Sequence, residues 1–94
     1  MKLAFVVNHV ATEQDNFTTI RLGRKAHRAG HSVSFVDLED FVYALDGTLH
    51  AYAIQPTCGR FDNDRDFLED LQRAGAERVR IAVDELDVLM LRSD

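Results

Sequence analysis

The sequence predicts an α/β domain: a small, three-layer, Rossmann-like fold on a mainly parallel sheet, with helices on both faces and an added β-hairpin. Three observations predict it. Leu3 to Val7 is an unbroken apolar run, the pattern of a strand covered on both faces. A helical pattern from Phe17 to Ala29 follows, and a second apolar strand begins beyond Gly30, so strand, helix and strand compose a βαβ unit with parallel strands. Asp46-Gly47 then separates two β-rich runs, the mark of a hairpin.

The segment from Asn8 to Asn16 is polar and ends in Asp15-Asn16, residues suited to capping a helix. In the helix, Thr19, Leu22, Gly23, Ala26 and Ala29 share an inward face, while Arg21, Arg24, Lys25 and Arg28 lie largely on the other. Gly23 and Ala26 are small enough to let the helix approach the sheet closely, and Gly30 stands where a C′ glycine closes a helix. His31 to Val36 forms the second strand. In the hairpin, Phe41–Leu45 and Thr48–Tyr52 flank a two-residue type I′ turn. That register pairs Leu45 with Thr48, Tyr43 with His50 and Phe41 with Tyr52, which puts Phe41, Tyr43, His50 and Tyr52 on one face. This aromatic face reads either as a partner surface or as ordinary core packing.

Beyond the hairpin, Gln55 to Arg65 is a loop holding Pro56, Cys58 and Gly59. Asp64 is placed to cap a helix from Arg65 to Ala74, with Phe67, Leu68 and Leu71 inward and Gly75 at its end. Val79 to Val83 alternates like a strand, Asp84-Glu85 turns, and Asp87 to Leu91 is the last strand. The chain then finishes on Arg92-Ser93-Asp94, as expected of a domain cut from a longer protein.

Ninety-four residues with 46% hydrophobic content suit one globular domain. A net charge of −5 argues against nonspecific nucleic-acid binding, which needs clustered Lys and Arg to neutralise phosphates. The basic group from Arg21 to Arg28 reads as a solvated helix face. Cys58 is the only cysteine, so no intrachain disulfide forms and a reducing compartment is expected. No apolar run approaches a membrane span, and the start is too short for a signal peptide. A soluble, cytoplasmic protein without nucleic-acid or membrane partners is the expectation.

If Leu3–Val7, Val33–Val36 and Val88–Leu91 are parallel neighbours, their carboxyl ends share one edge, where ligands of open α/β sheets bind. That edge gathers Asn8, His9, Asp37 and Arg92-Ser93-Asp94, together with the helix start at Thr18-Thr19. Free amides at a helix N-terminus attract anions weakly, and Arg92 would add a bidentate grip on a carboxylate or phosphate. The candidate substrate-binding residues are therefore Arg92, Asn8, Thr18, Thr19 and Asp94. Against this stands a purely structural role: caps for the threonines, and an ion pair with Asp94 for Arg92.

No catalytic residue, cofactor-binding residue or metal ligand is assigned. The loop from Asn8 to Asp15 has no glycine, which excludes a dinucleotide fingerprint and a P-loop. Asn8-His9 stands where a phospho-receiver would carry paired acids. The histidines lack partners at metal-ligand spacing, the acids Asp37, Glu39 and Asp40 read as solvating a turn, and no nucleophile–base pair can be named.

The order of these features resembles the N-terminal, pre-ATP-grasp domain of prokaryotic glutathione synthetase and its relatives in the ATP-grasp superfamily. The residues that carry it are Lys2–Val7 with its polar loop, Thr18-Thr19 opening a helix that ends Ala29-Gly30-His31, and Val36-Asp37-Leu38-Glu39-Asp40 leading into the Asp46-Gly47 hairpin. Leu86 to Asp94 closes it, similar to the family's strand ending in Arg-Lys-Asp-Pro-Pro. Ser93 replaces the usual lysine, the two prolines lie beyond the end, and Gln55–Gly75 is less familiar.

The resemblance implies an ATP-dependent carboxylate–amine ligase, which activates a carboxylate as an acyl phosphate for attack by an amine. It implies ATP and magnesium held by later ATP-grasp domains, a carboxylate-bearing amino acid or peptide as substrate, and assembly into a homo-oligomer. By the same resemblance Arg92 matches the arginine that would hold a substrate carboxylate, and the 94 residues alone are expected to be inactive. Two other readings of the residues stay open. One is a stand-alone flavodoxin-like module binding a small anion or regulating a partner. The other is an interaction domain docking through the hairpin.

Overall fold

A computed structural model describes residues 1–14, 17–57, 60–73 and 77–91. Strands β1 (Lys2–Val7), β2 (Ser32–Tyr43), β3 (Leu49–Ile54), β4 (Val79–Ala82) and β5 (Val88–Leu91) alternate with helices α1 (Thr18–Arg28), between β1 and β2, and α2 (Asp64–Leu71), between β3 and β4. The strands form one five-stranded sheet in the order β4-β3-β2-β1-β5. The expected βαβ unit is present: β1 and β2 run parallel from Lys2↔Ser32 to Val7↔Asp37. β5 lies parallel on the other side of β1, from Leu3↔Val88 to Val6↔Leu91. β3 and β4 are antiparallel, so the sheet is mixed where a mainly parallel one was expected.

The layering also differs from expectation. Alternation along β1 sends Phe5 and Val7 to one face and Ala4 and Val6 to the other, and all four are buried. The Phe5 face meets both helices: Ile20 of α1 and Phe67, Leu68 and Leu71 of α2 share its cluster with Phe35 and Ile54. The Val6 face holds a smaller cluster of Val6, Val36, Ala51 and Ala53, closed by Phe41, Ile81 and Val83. Among the described residues the domain is therefore two-layered, with helices on one face only. Both helices share that side, α1 as the crossover of the parallel β1–β2 pair and α2 packed beside it in the link between antiparallel β3 and β4.

Helix α1 ends as its glycine demands. Gly30 has φ +94°, its N–H bonds His27 O at 3.0 Å, and His31 N reaches Ala26 O at 3.1 Å, the paired bonds of a Schellman motif. Gly23 lies on the buried side: a Cβ there would stand 2.5 Å from Phe35 Cζ. Ile20 joins Thr19 and Gly23 inside, and Leu22, expected inward, is 40% exposed. The expected caps Asp15 and Asn16 lie outside the described residues, and Phe17 occupies the N-cap position without a side-chain bond. The cap of α2 is Asn63, whose Oδ1 accepts from Asp66 N at 2.8 Å, one residue earlier than Asp64.

Strand β2 does not stop at Val36. It runs on to Tyr43 through an irregularity in which Asp37 to Asp40 stand opposite Tyr52 alone. The hairpin loop also differs: Ala44 N donates to Thr48 O at 2.8 Å, which leaves Leu45, Asp46 and Gly47 in the loop. Only Gly47 has positive φ, at +86°, whereas a type I′ turn needs it at both central positions. Asp46 Oδ1 accepts instead from Thr48 N at 3.0 Å and Thr48 Oγ1 at 2.6 Å, a local turn bond typical of aspartate. The extra loop residue shifts the register to Tyr43↔Leu49, Val42↔His50 and Phe41↔Ala51. Phe41 and Tyr43 thus face one way, His50 and Tyr52 the other, and the single aromatic face does not exist.

Candidate functional site at the carboxyl edge of the parallel strands

The parallel register brings the ends of β1, β2 and β5 to one edge, as the sequence suggested. Val7 pairs with Asp37 and Val6 with Leu91, so Asn8 and His9 emerge beside the turn of β2 and next to the last residue of β5. Both are exposed. Arg92 and Asp94, expected here as the anion grip and its neighbour, lie outside the described residues. Thr18 is exposed at the start of α1, which has no acidic residue in its first turn. Thr19 is fully buried, and its Oγ1 has no hydrogen-bond partner. It faces the interior.

The loop after β1 is pinned from two sides. Asp37 Oδ1 accepts from Val10 N at 2.7 Å, while Gln72 Nε2 at the end of α2 donates to Val10 O at 2.8 Å and Glu13 O at 3.0 Å. Val10 itself is buried in the main core. A short 3-10 turn at Val10–Thr12 therefore holds Asn8 and His9 in place from behind. Exposed backbone needs such partners to stay in one conformation against its conformational entropy.

A cleft of about 230 Å³ opens beside this loop, lined by Val10, Ala11, Ile54, Leu71, Gln72, Arg73 and Arg78. Both arginines carry local counter-charge. Arg78 Nη2 lies 3.0 Å from Asp37 Oδ2, and Nη1 lies 3.1 Å from Asp40 Oδ2. Arg73 pairs with Asp70 at 3.6 Å. Asp37 and Asp40, expected to solvate a turn, instead clamp Arg78, and the irregularity in β2 is what lets both carboxylates reach one guanidinium. The cleft is thus a polar, charge-balanced hollow rather than an open anion trap.

Gln72 and Arg78 were not visible as site residues in the sequence. Arg78 stands directly before β4, and only the antiparallel placement of β4 beyond β3 carries it across to Asp37, 41 positions earlier. The sequence places Asp37 at this edge, but as an acid solvating a turn rather than as the anchor of the loop after β1.

The chain has other clefts. One of about 160 Å³ lies between Lys2, Ser32, Ser34, Gln55 and β4, and one of about 150 Å³ lies between His27, His31 and Pro56. Both border residues at the amino-terminal ends of β1 and β2, away from Asn8. Among the described residues no group of three or more His, Cys, Asp or Glu side chains is arranged to hold a metal ion, and no helix is long and apolar enough to cross a membrane.

Comparison with protein families matches residues 1–94 to the prokaryotic glutathione synthetase, N-terminal domain. No individually curated protein matches the chain.

Proposed function

The chain belongs to the family of prokaryotic glutathione synthetase N-terminal domains, and from that premise we propose that it is the substrate-side domain of an ATP-dependent carboxylate–amine ligase. The single observation that supports a substrate role within this chain is the convergence at the carboxyl edge. Asn8 stands exposed there on a loop fixed by Asp37 and Gln72, and Thr18 stands exposed at the start of α1. The α1 amino terminus, where Phe17 makes no side-chain cap bond, adds a partial positive charge on the same side. Arg92, one residue past the last β5 residue at this edge, would supply the full charge that a substrate carboxylate requires.

Among the described residues the acids do not gather into a magnesium–ATP site: Asp37 and Asp40 are engaged by Arg78, Asp64 by Arg24 and Arg21, Asp70 by Thr57 and Arg73, and Glu13 is buried. In this reading ATP and magnesium belong to domains other than that of residues 1–94, and this domain contributes binding and orientation of the carboxylate substrate. Orientation alone lowers a bimolecular barrier substantially, so a non-catalytic wall of the site still governs rate.

The test uses glutathione as a carboxylate-bearing peptide probe, titrated into the isotope-labelled 94-residue chain and followed by amide chemical shifts. Saturable shifts at Asn8–Ala11, Thr18 and the residues after Leu91, lost in Arg92→Ala, are expected. Shifts gathered instead around Ser34 and Gln55, or shifts unchanged by Arg92→Ala, would remove the proposal. The flavodoxin-like alternative draws on the same edge but predicts that inorganic phosphate shifts these amides as strongly as glutathione does.

A further inference from the structure

The loop that carries Asn8 is gripped at Val10 by groups from two remote elements. Val10 N–H donates to Asp37 Oδ1 at 2.7 Å, and Val10 O accepts from Gln72 Nε2 at 2.8 Å. The Val10 side chain is itself buried in the core. The Gln72 bond is direct, whereas the Asp37 bond is one link in a longer chain.

Asp37 uses both of its carboxylate oxygens. Oδ1 takes the Val10 N–H, and Oδ2 lies 3.0 Å from Nη2 of Arg78. The other arm of the same guanidinium, Nη1, lies 3.1 Å from Asp40 Oδ2. Asp37 is the most enclosed of the three, with 14% of its side chain exposed against 31% for Asp40 and 35% for Arg78. A guanidinium fixes direction as well as charge, because its N–H groups project in a rigid planar fork. With both oxygens engaged, the Asp37 carboxylate has one orientation, and that orientation aims Oδ1 at the loop. The irregularity of β2 between Val36 and Phe41 belongs to the same device, since a strand irregularity re-aims the side chains beside it.

Without Arg78, Asp37 and Asp40 would stand as like charges on one short stretch of strand with no cation between them, and like charges at close range repel. Asp37 would turn towards water, and Val10 N–H would lose its acceptor. Gln72 and the buried Val10 side chain would still hold the loop to the fold. The loss is therefore one of placement, and it falls on Asn8 and His9, which immediately precede Val10.

We propose that Arg78 is a positioning residue for the substrate edge: acting through Asp37, it sets where the Val10 backbone stands, and with it Asn8. The consequence for binding rests on the substrate reading of that edge, while the mechanism rests on the bonded chain Arg78–Asp37–Val10 alone. A misplacement of about 1 Å can cost about a hundredfold in rate, so a residue on the far side of the sheet order governs how well the edge works. Arg78 reaches it only because β4 lies beyond β3.

Asp37→Asn breaks the chain with almost no change of shape. An amide offers an acceptor at one end and donors at the other, where this link needs acceptors at both. Amide hydrogen exchange at Val10 and the glutathione-induced shift at Asn8, both on the 94-residue chain, read the two consequences separately. Arg78→Met and Asp37→Asn should each speed Val10 exchange about tenfold. Each should also weaken the glutathione response about fivefold or more. The double variant should match the weaker single variant within about twofold, because both changes break one chain. Arg80→Met, an equal charge loss at an exposed position of β4, should leave both readouts within about twofold.

Losses that multiply in the double variant overturn the proposal, since Arg78 would then act by another route. So does an Arg78→Met chain, folded by circular dichroism, whose Val10 exchange or glutathione response is unchanged. If Arg78→Met does not fold, Arg78→Lys is read in its place. Lysine keeps the charge without the fork, and both readouts should move the same way by about threefold. A wild-type chain with no glutathione response at the edge overturns the substrate reading itself, whereas unchanged Val10 exchange in the Arg78 variants overturns the positioning chain alone.

Discussion

Close packing at single residues decides where this domain tolerates change. Gly23 is a helical glycine, and an alanine there would ordinarily gain about 1 kcal/mol of helix propensity. Here the added methyl would enter a contact of 2.5 Å with the ring of Phe35. That ring is fully buried, stacked on Phe5 at 5.2 Å and edge-on to Phe67 at 5.9 Å, so it has no free direction in which to yield. Overpacking costs about 1–3 kcal/mol, and Gly23→Ala should therefore destabilise the domain despite the propensity gain, as measured by urea denaturation. A higher midpoint would show that α1 is free to slide. Asp46 carries the second expectation at this scale. The Thr48 hydroxyl, and then its N–H, lower the Asp46 pKa below its ordinary value of 3.8. A lowered folded pKa means the turn bonds hold fully above the unfolded pKa and are lost as pH falls through the folded one. Carbon-detected titration of Asp46 should show it ionising below an ordinary aspartate, with Thr48 N–H moving in step. A midpoint at or above the ordinary value would break the assignment.

Helix and strand ends show what was legible in the sequence and what was not. The stop of α1 at Gly30 could be read directly, because a Schellman motif requires left-handed backbone that glycine adopts without strain. Gly30→Ala should cost about 1–2 kcal/mol for that reason, and since nothing lies within 4 Å of the new methyl, the loss seen in thermal melting would report backbone strain alone. The hairpin could be read as a hairpin, yet not in its register. Asp46-Gly47 fits both a two-residue and a three-residue loop, and the choice fell to the bonds between Asp46 and Thr48, which no alternation pattern records. A one-residue slip then exchanged faces for every side chain on one strand. The continuation of β2 through four polar and apolar residues was hidden for a related reason. Asp37 to Asp40 look like a turn until Arg78, far along the chain, supplies the counter-charge that keeps them in the sheet.

At the scale of the whole molecule, strand order carries what local pattern cannot. The apolar runs of β1 and β5 suit parallel neighbours, which they are, and the carboxyl edge with Asn8 and Thr18 follows from that arrangement. The antiparallel half was not announced, because β3 and β4 join the sheet through pairings whose specificity lies in side-chain fit rather than in spacing. That half brings Arg78 over the edge and spends the nearby acids on structure. Its consequence for activity is direct. A ligase that forms an acyl phosphate must neutralise the triphosphate with a cation held by free carboxylates or carbonyls. Among the described residues Asp37 and Asp40 beside the carboxyl edge already serve Arg78 and the Val10 amide, and the loop after β1 lacks the glycines that would let amides approach phosphate. The 94-residue chain with magnesium should therefore show no ATP hydrolysis and no saturable ATP binding at millimolar concentration, by phosphate release and by calorimetry. Under the same conditions Arg92 should still be needed for the response to glutathione. Magnesium-dependent turnover by this chain would place the nucleotide site within these residues and remove the division of labour argued for them.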